Sequence, residues 1–476
     1  MGDVAMIERE DVDLASRFQA LRAAYARHRC PDRAERLGWL KALRAALVAR
    51  QAELVAAIDA DFGGRAAMET RAAEVLVVAH GIDAMIAGLP KWMAGEVRSL
   101  PWYLLPASGH VVRQPKGVIG VVAPWNYPFQ LSMLPVAMAL AAGNRVMLKP
   151  SEITPRTAAF LADLFSKVLP KGVVDVVEGG PDVGAAFVAL PFDHLVFTGS
   201  TSLGRKVMAA AAPNLVPVTL ELGGKSPVIV APDASLEHAA ERIAYGKMLN
   251  AGQTCVAPDT VLVPEAQVDA FVRCYREAVG RLYPRLLDNA DYTAIVNDRH
   301  RARLQSMLED ARAKGAQVTT INPAGETAGA TRRMLPTVIL GVTDDMLVSQ
   351  DEIFGPILPI IPVRDVDAAM DWVNARPRPL ALYIFSGDRR VVDKVTQGTT
   401  AGGMCVNETM IHAIIDDLPF GGIGASGMGN YHGEDGFLTF THRKSVLRQA
   451  RLNGMGLFAP PFGPRMQRLL DLLVRP

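Results

Sequence analysis

The chain has 476 residues, of which 50% are apolar and 21% charged, and its formal net charge is +1. This is the composition of a globular protein with a large core and two or three domains, and the near-neutral charge argues against a dedicated binder of nucleic acid or membrane surfaces. The four cysteines stand far apart, without a CxxC pair or a histidine cluster, so neither a disulfide framework nor a metal site is predicted.

The N-terminal residues Met1–Met6 contain no apolar core of a signal peptide. Apolar runs near 117–125 and 131–142 are interrupted by Pro, Gly or Asn before they could cross a bilayer. The stretch 465–473 has the pattern of an amphipathic helix that is too short and too charged for an anchor. We therefore expect a cytoplasmic protein without a membrane anchor.

Residues 11 to about 95 carry apolar residues at helical spacing, as at Leu37, Leu40 and Leu47, which predicts a helical opening section. The segment Trp102–Arg113 then alternates weakly between apolar and polar residues and is bounded by prolines. This pattern favours an extended hairpin.

From residue 117, strand patterns alternate with helical ones, and a helix starts at Thr154-Pro155, with Thr as N-cap and Pro in the first turn. Another helix is predicted over Leu131–Ala142. The predicted strands are short and rich in β-branched residues: Gly117–Ala123, Arg145–Lys149, Val173–Val177, His194–Thr198 and Val216–Glu221. Repeated βαβ units imply a parallel sheet that is covered on both faces.

A second α/β series begins near residue 226, with helices predicted over 236–248, 265–281 and 299–314. Its predicted strands are Val228–Val230, Val261–Val263, Val318–Ile321, Val338–Leu340, Ile357–Ile361 and Leu382–Phe385. The predicted fold class is therefore α/β, with two doubly wound parallel-sheet domains and a small β extension.

Cys255 follows a polar, glycine-bearing turn, Gly252-Gln253-Thr254. A lone cysteine is most often a small buried hydrophobe. These neighbours, however, suit a loop rather than a core helix, and a loop after the helix at 236–248 could present the thiol to a cleft. Cys255 is therefore a candidate nucleophile.

Two further side chains stand at the ends of predicted strands. Glu221 ends an apolar strand before Gly223-Gly224, where it is either a solvated carboxylate or a general base at the edge that faces the ligand crevice. Asn126 follows Pro124-Trp125 and is either the N-cap of the next helix or a donor to an oxyanion. A thiol, a carboxylate and a carboxamide suffice for covalent chemistry on a carbonyl.

Three other turns carry weaker signals. Gly199–Gly204 joins a strand to a helix and could bind a pyrophosphate, or it is a plain tight turn. Lys149 and Glu152 could hydrogen-bond ribose hydroxyls, or they form a surface ion pair. Glu352 and Phe354 place one acid and one ring beside a turn.

Together these segments resemble the NAD(P)-dependent aldehyde dehydrogenase superfamily over nearly the whole chain. The carrying segments are Pro124–Asn126, Leu148–Glu152, Phe197–Gly204, Leu220–Pro227, Gly252–Cys255, Glu352–Pro356 and Pro419–Gly422. Ser426–Gly433, followed by Phe437–Phe440, resembles the class 3 branch. Trp92, Pro101–Pro106 and Gly143–Lys149 are most similar to the bacterial coniferyl aldehyde dehydrogenases.

The resemblance implies a role for each matching position. Cys255 would be the nucleophile, Glu221 the general base, and Asn126 an oxyanion donor together with the backbone N–H of Cys255. The implied cofactor-binding residues are Trp125, Lys149, Ser151, Glu152, Gly199, Ser200, Leu222, Gly223, Glu352 and Phe354. Lys149 and Glu152 would hold the adenosine ribose, and Glu352 the nicotinamide ribose.

The resemblance also implies how the chain is divided. Residues 1–98 and 114–224 would form a Rossmann-like NAD(P)-binding domain, and residues 225–418 the catalytic domain that carries the nucleophile. Segments 99–113 and 419–448 would bridge to a second subunit in a homodimer, and 449–476 would be a C-terminal tail.

The expected reaction is oxidation of an aldehyde to the carboxylic acid through a thioester on Cys255. NAD is favoured, because Glu152 should repel a 2′-phosphate, although NADP use is possible. The substrate would be apolar, either aromatic, as in a coniferyl-type aldehyde, or medium-chain aliphatic. Two alternatives stay open: a coenzyme-A-acylating aldehyde dehydrogenase and a cofactor-free cysteine acyl hydrolase.

Overall fold

The computed structural model describes residues 13–327 and 331–474. The expectation about a signal peptide falls on residues 1–6, which lie outside the described residues. A helical section opens the described chain, as predicted: α1 (Leu14–Arg27), α2 (Arg33–Phe62), α3 (Ala67–Thr70) and α4 (Val77–Met93). α2 begins where the side chain of Asp32 accepts the backbone N–H of Glu35 at 2.8 Å, and it ends at Gly63, whose φ of 61° suits glycine.

A six-stranded sheet follows, and all its neighbouring strands are parallel except the first pair. Its strands, in spatial order, are β15 (Gly427–Met428), β7 (Val218–Leu222), β6 (His194–Gly199), β3 (Val118–Val122), β4 (Arg145–Lys149) and β5 (Val174–Val176). Its helices are α5 (Gln130–Ala141), α6 (Pro155–Val168), α7 (Pro181–Val188) and α8 (Thr201–Ala211). The predicted strands and helices of this region are confirmed to within a few residues.

A second sheet has seven strands, again parallel except for one edge pair. Its spatial order is β10 (Gln317–Thr320), β11 (Thr337–Leu340), β12 (Ile357–Val363), β9 (Thr260–Pro264), β8 (Pro227–Val230), β13 (Ala381–Phe385) and β14 (Gly403–Val406). The main helices beside it are α9 (Leu236–Met248), α10 (Val268–Leu282), α11 (Asp298–Ala313), α12 (Leu347–Gln350), α13 (Val366–Asn374) and α14 (Arg389–Gly398).

A small antiparallel sheet completes the fold: β1 (Glu96–Arg98), β2 (Ser108–Pro115) and β16 (Thr441–Arg448), in that order. The predicted hairpin over 102–113 is therefore wrong in extent. Trp102–Leu104 forms a short 3-10 helix, and β2 pairs with β1, which precedes the predicted segment. Pro101 and Pro106 flank that turn, and the missing N–H of proline keeps both out of a ladder.

Two helices close the chain, α15 (Gly433–Thr439) and α16 (Pro464–Leu473). One helical stretch, Ala67–Met93, is long and apolar enough to cross a membrane when judged by length and composition alone. Its residues Val78, Ile82 and Leu89 are fully buried in the core that also holds apolar residues of α2. A core helix of this kind passes the same test.

Candidate active site

Cys255 follows a loop whose backbone conformation is rare. Beyond the end of α9, Asn250 and Ala251 have φ values of 50° and 51°, and Gly252 has a φ of 74°. Left-handed backbone is uncommon for residues that carry a side chain, so the surrounding structure must hold Asn250 and Ala251 there. This local strain was not visible in the sequence and marks the loop as a candidate functional element.

The side-chain amide of Gln253 holds this loop by hydrogen bonds from both its nitrogen and its oxygen. Its Nε2 donates to the carbonyl oxygens of Asn250 and Ala294, each at 3.0 Å, and its Oε1 accepts the N–H of Val296 at 3.0 Å. Gln253 is fully buried. Because a buried polar group is costly to leave unsatisfied, these three bonds fix the segment that ends at Cys255.

Asn126 is joined directly to the same loop. Its side-chain Nδ2 donates to the carbonyl oxygen of Gln253 at 3.1 Å, which leaves the second N–H of the amide for a ligand. The alternative role as N-cap is not seen, because α5 is preceded by Phe129 and has no side-chain cap. Asn126 is 4% exposed, so its amide lies in a buried setting that strengthens a hydrogen bond.

Glu221 lies near the C-terminal end of β7, opposite Gly427 of β15. It is 4% exposed, and neither of its carboxylate oxygens has a hydrogen-bond partner. Burial raises the pKa of this carboxyl well above its ordinary value. An unpartnered buried carboxylate of raised pKa is typical of a catalytic base rather than of a solvated strand end.

The thiol of Cys255 is partly buried and lies close to two acids. Burial raises its pKa to about 12, and the negative charges of Glu352 and Glu221 add to the rise. The thiol is therefore protonated at neutral pH in this arrangement, and a thiolate forms only if a proton acceptor or a change of surroundings favours it.

One cavity of about 420 Å³ is lined by Asn126, Glu221 and Cys255 together. The other predicted residues that line it are Trp125, Gly199, Ser200, Leu222, Gly223, Glu352 and Phe354. The side chains that came from separate strand ends and loops in the sequence thus meet around one space, at the carboxyl edge of the six-stranded sheet.

Glu352 and Phe354 lie in the loop before β12. Burial and the nearby Asp259 raise the pKa of Glu352 to about 8, although the N–H of Gly224 and the charge of Lys225 act against the rise. Oε1 of Glu352 is buried without a hydrogen-bond partner. A Cβ added at Gly223 would overlap this carboxylate, so the Glu352 side chain would have to move aside.

Ser200 caps α8, an 11-residue helix that begins at the cavity. Its Oγ accepts the N–H of Leu203 at 3.4 Å. Gly204 lets the helix approach Leu222, whose Cδ2 would lie 2.6 Å from an added Cβ. The free N–H groups of the first turn and the helix dipole make this end of α8 suitable for a phosphate.

Lys149, Ser151 and Glu152 lie apart from the residues that line the cavity, at the end of β4 beside β3. The Nζ of Lys149 donates to the carbonyl oxygen of Pro150 at 2.9 Å and lies 3.5 Å from Oε2 of Glu152. Oγ of Ser151 accepts the N–H of Ile153 at 3.2 Å. These three residues do not line the cavity, but they lie one strand away from it, because Lys149 pairs with Val122 of β3, the strand that leads to Trp125 and Asn126.

Several lining residues were not predicted as site residues, among them His300, Arg303 and Asp351. The His300 ring centroid lies 4.7 Å from that of Trp125, and burial together with Arg303 lowers the pKa of His300 to about 4, so the imidazole is neutral at pH 7. His300 and Arg303 belong to α11, where the sequence shows only an ordinary helical pattern. No sequence signal could have singled them out.

A second cavity, of about 460 Å³, shares Ser200, Gly223 and Glu352 with the first. Its lining also includes the cations Arg205 and Arg378. The two spaces together give room for an elongated, partly anionic ligand beside the N-terminus of α8.

Known proteins resemble this chain over its full length. It is 50% identical over 479 residues to a protein of Pseudomonas aeruginosa named "Probable coniferyl aldehyde dehydrogenase", covering 100% of both chains. It is 40% identical over 428 residues to the mouse protein named aldehyde dehydrogenase family 3 member A2, covering 90% of this chain and 87% of the relative.

Solved structures show the same fold. Staphylococcus aureus AldH, in a substrate-bound state, superposes with a TM-score of 0.91 at 37% identity and covers 96% of this chain and 99% of its own. The NAD-dependent aldehyde dehydrogenase of Sinorhizobium meliloti gives a TM-score of 0.85 at 30% identity, covering 95% of this chain and 88% of its own.

The profile of the aldehyde dehydrogenase family matches residues 1–446. That range includes both parallel sheets and every segment that lines the first cavity. Since the profile, the relatives and the solved structures all agree over this range, the chain is an oxidoreductase enzyme that belongs to the aldehyde dehydrogenase family.

Proposed function

We propose that this enzyme oxidises an apolar aldehyde to the carboxylic acid through a thioester on Cys255, with a nicotinamide dinucleotide as oxidant. The carrying observation is that Cys255, Asn126 and the unpartnered carboxylate of Glu221 line one cavity. Nucleophile, oxyanion donor and base are the groups that acyl chemistry on a carbonyl requires.

In the first half of the reaction, Cys255 gives its proton to a water molecule in the cavity, and its sulfur adds to the aldehyde carbon. The carbonyl oxygen gains the negative charge, and the free N–H of the Asn126 amide and the backbone N–H of Cys255 stabilise it. A bound nicotinamide would supply a hydride acceptor, and loss of the hydride from the adduct carbon would leave a thioester on Cys255.

In the second half, Glu221 takes a proton from a water molecule, whose oxygen attacks the thioester carbon. The C–S bond breaks, the acid leaves, and the sulfur of Cys255 regains a proton. Glu221 suits this step because its burial raises its affinity for a proton above that of an ordinary carboxylate.

The residues present fit a dinucleotide. The partnerless Oε1 of Glu352 is free to accept a ribose hydroxyl, and the N-terminus of α8 at Ser200 offers N–H groups for a pyrophosphate. In this proposal Trp125, Gly199, Leu222, Gly223 and Phe354 complete the nicotinamide half, while Lys149, Ser151 and Glu152 hold the adenosine ribose. The exposed acid Glu152 favours NAD, with NADP as a possible second cofactor.

Residues 1–98 and 114–224 would form the domain that binds the dinucleotide, and residues 225–418 would form the catalytic domain that carries the nucleophile. Similarity to the coniferyl aldehyde dehydrogenase relative supports an aromatic, coniferyl-type aldehyde, and a medium-chain aliphatic aldehyde is the second candidate. Segments 99–113 and 419–448 would contact a second copy in a homodimer, with residues 449–476 as a tail. We place the enzyme in the cytoplasm.

The test is NADH formation with coniferaldehyde and hexanal as substrates and NAD or NADP as cofactor. Cys255→Ala should abolish oxidation and keep the affinity for NADH, measured by its fluorescence. Cys274→Ala is the matched control, because Cys274 lies on α10 away from the cavity and should be fully active. Turnover near the wild-type rate in Cys255→Ala would contradict the proposal.

The same assay decides between the alternatives. Ester hydrolysis without any dinucleotide, together with no NADH from aldehydes, would favour the cysteine acyl hydrolase. Dependence of the product on added coenzyme A would favour the acylating enzyme, whereas free acid in its absence supports water as the acceptor.

A further inference from the structure

A fully buried arginine contacts the segment that carries the oxyanion donor. Arg65 lies between α2 and α3, and its guanidinium sits 4.7 Å from the ring centroid of Phe62 and 4.9 Å from that of Tyr127. Its Nη1 donates to the backbone carbonyl of Asn126 at 2.8 Å. A buried cation costs free energy unless it is paired, so its presence here calls for a reason.

The counter-ion of Arg65 holds the other end of the same segment. Glu74, whose side chain is also fully buried, has its Oε1 3.8 Å from Nη2 of Arg65. Its Oε2 accepts the backbone N–H groups of Phe129 and Gln130, each at 2.9 Å. The two charged groups therefore bind opposite ends of the turn between β3 and α5. Arg65 binds the carbonyl group of Asn126, and Glu74 binds the N–H groups of Phe129 and Gln130.

The turn is fixed from the nucleophile's side as well. The carbonyl oxygen of Asn126 also accepts Nδ2 of Asn250 at 3.0 Å, in addition to Nη1 of Arg65. The side-chain amide of Asn126 reaches Gln253 in turn. Any displacement of the Asn126 backbone moves this amide relative to Cys255, which follows Gln253 by two residues in the chain.

We propose that Arg65, which forms an ion pair with Glu74, is a positioning residue that aims the Asn126 amide at the oxyanion formed on Cys255. Arg65 does not touch the substrate in this proposal and acts only through Asn126. The claim rests on the proposed function, because it assumes that Asn126 holds the oxyanion. Misplacing a donor by about 1 Å is enough to cost roughly a hundredfold in rate.

The test is a double-mutant cycle on the acylation rate, read from the pre-steady-state formation of NADH. Asn126→Ala should slow acylation about 100- to 1,000-fold. Arg65→Met should slow it about 10- to 100-fold, with kcat falling more than KM changes. In Asn126→Ala, adding Arg65→Met should cause no further loss, because the donor that Arg65 aims is gone.

The control is Arg36→Met. Arg36 is another buried arginine, 4% exposed, and it donates to the backbone carbonyls of Pro31 and Ala141, away from the cavity. It should lower the unfolding temperature about as much as Arg65→Met while leaving the acylation rate near that of the wild type. Alkylation of Cys255 by iodoacetamide in the cofactor-free enzyme should be equally fast in both variants, because the thiol itself is unchanged.

If Arg65→Met does not fold, Arg65→Lys replaces it in the cycle, since a lysine keeps the charge near Glu74 but has a single donor centre. If substitution of Arg65 lowered the acylation rate by the same factor in the wild type and in Asn126→Ala, the positioning role would be overturned, while the oxyanion assignment would stand. A near-normal acylation rate in Asn126→Ala would instead overturn the oxyanion assignment, and with it the premise of this inference.

Discussion

Glu221 is the residue whose surroundings say most about its chemistry. Its carboxylate is buried, lacks any hydrogen-bond partner and stands close enough to Cys255 to raise the pKa of the thiol. A structural carboxylate would be paired, because an unpaired buried one costs several kcal/mol, on the order of the total stability of many domains. A role in proton transfer explains why an unpaired carboxylate is buried here.

Glu221→Gln keeps the shape of this side chain but cannot take a proton. We expect steady-state turnover to fall about 100-fold or more, while the first turnover still releases NADH at nearly one equivalent per site. Mass spectrometry of the quenched variant should then show acyl groups on Cys255. If Glu221→Gln released the carboxylic acid as fast as the wild type does, Glu221 would not be the base.

The pH dependence follows from the direction of the pKa. Since the pKa of Glu221 is raised, the deprotonated, active form of the base increases as pH rises, and the hydrolysis rate of the thioester should rise with it to a plateau. The midpoint should lie above 4.5, the ordinary pKa of a glutamate. Glu221→Gln should lose this rise, and a pH-independent hydrolysis rate in the wild type would contradict the assignment.

At the scale of elements, the site depends on close approaches that glycine allows. Gly223→Ala would put a methyl group against the carboxylate of Glu352, so that this side chain must move from its present place. We expect the affinity for NADH to weaken about tenfold or more, measured by fluorescence titration, with the thiol of Cys255 still reactive.

Gly184→Ala is the matched control for this prediction. Gly184 lies in α7, and an added Cβ there would meet no atom within 4 Å. It should leave NADH affinity unchanged and raise stability by about 0.5–1 kcal/mol, because alanine is favoured over glycine in a helix. If both variants bind NADH as the wild type does, the contact between Gly223 and Glu352 has no part in cofactor binding.

Strands that are buried on both faces could be predicted from their apolar sequence. Strands that form only because they pair with a distant strand could not. Arg145–Lys149 is buried throughout and was predicted with its observed bounds. Thr441–Arg448 is mostly exposed, and it forms a strand because it pairs along the whole of β2. The left-handed backbone at Asn250 likewise depends on bonds to distant residues.

The candidate site shows the same division. Cys255, Glu221 and Asn126 stand beside glycines and strand ends, which are local signals, and the structure gathers them at one cavity. His300 has no such signal, because its place beside Trp125 arises from how α11 packs. Sequence patterns identify the groups that carry chemistry better than those that surround them.

At the scale of the whole molecule, the three-stranded sheet and the 3-10 helix between β1 and β2 leave several apolar side chains exposed. Val97 is 80% exposed, Trp102 60% and Leu447 59%. Val97 lies beside His110 and Leu447 beside Gly109, two consecutive residues of β2, so the two side chains stand on opposite faces of this sheet. Large apolar side chains left exposed on both faces of a small sheet favour a contact with another protein, in line with the proposed homodimer.

Sedimentation of the wild-type protein should therefore give the mass of two chains. Leu447→Asp should shift the equilibrium towards the single chain, because a charge would be buried against the partner. Leu215→Asp is the control: Leu215 is 89% exposed and follows α8, outside this sheet, and its φ of 55° is one that Asp tolerates. A single-chain mass for the wild type would contradict the dimer.

The linker between β7 and β8 is only four residues long, yet Glu221 lies before it and Cys255 after it. A cut in the linker would place the proposed hydrolytic base and the proposed nucleophile on different polypeptides. Neither fragment could complete a catalytic cycle alone, whereas reassembly of the two would restore it. Fluorescence from NADH could then report when two proteins fused to the fragments come together in a cell.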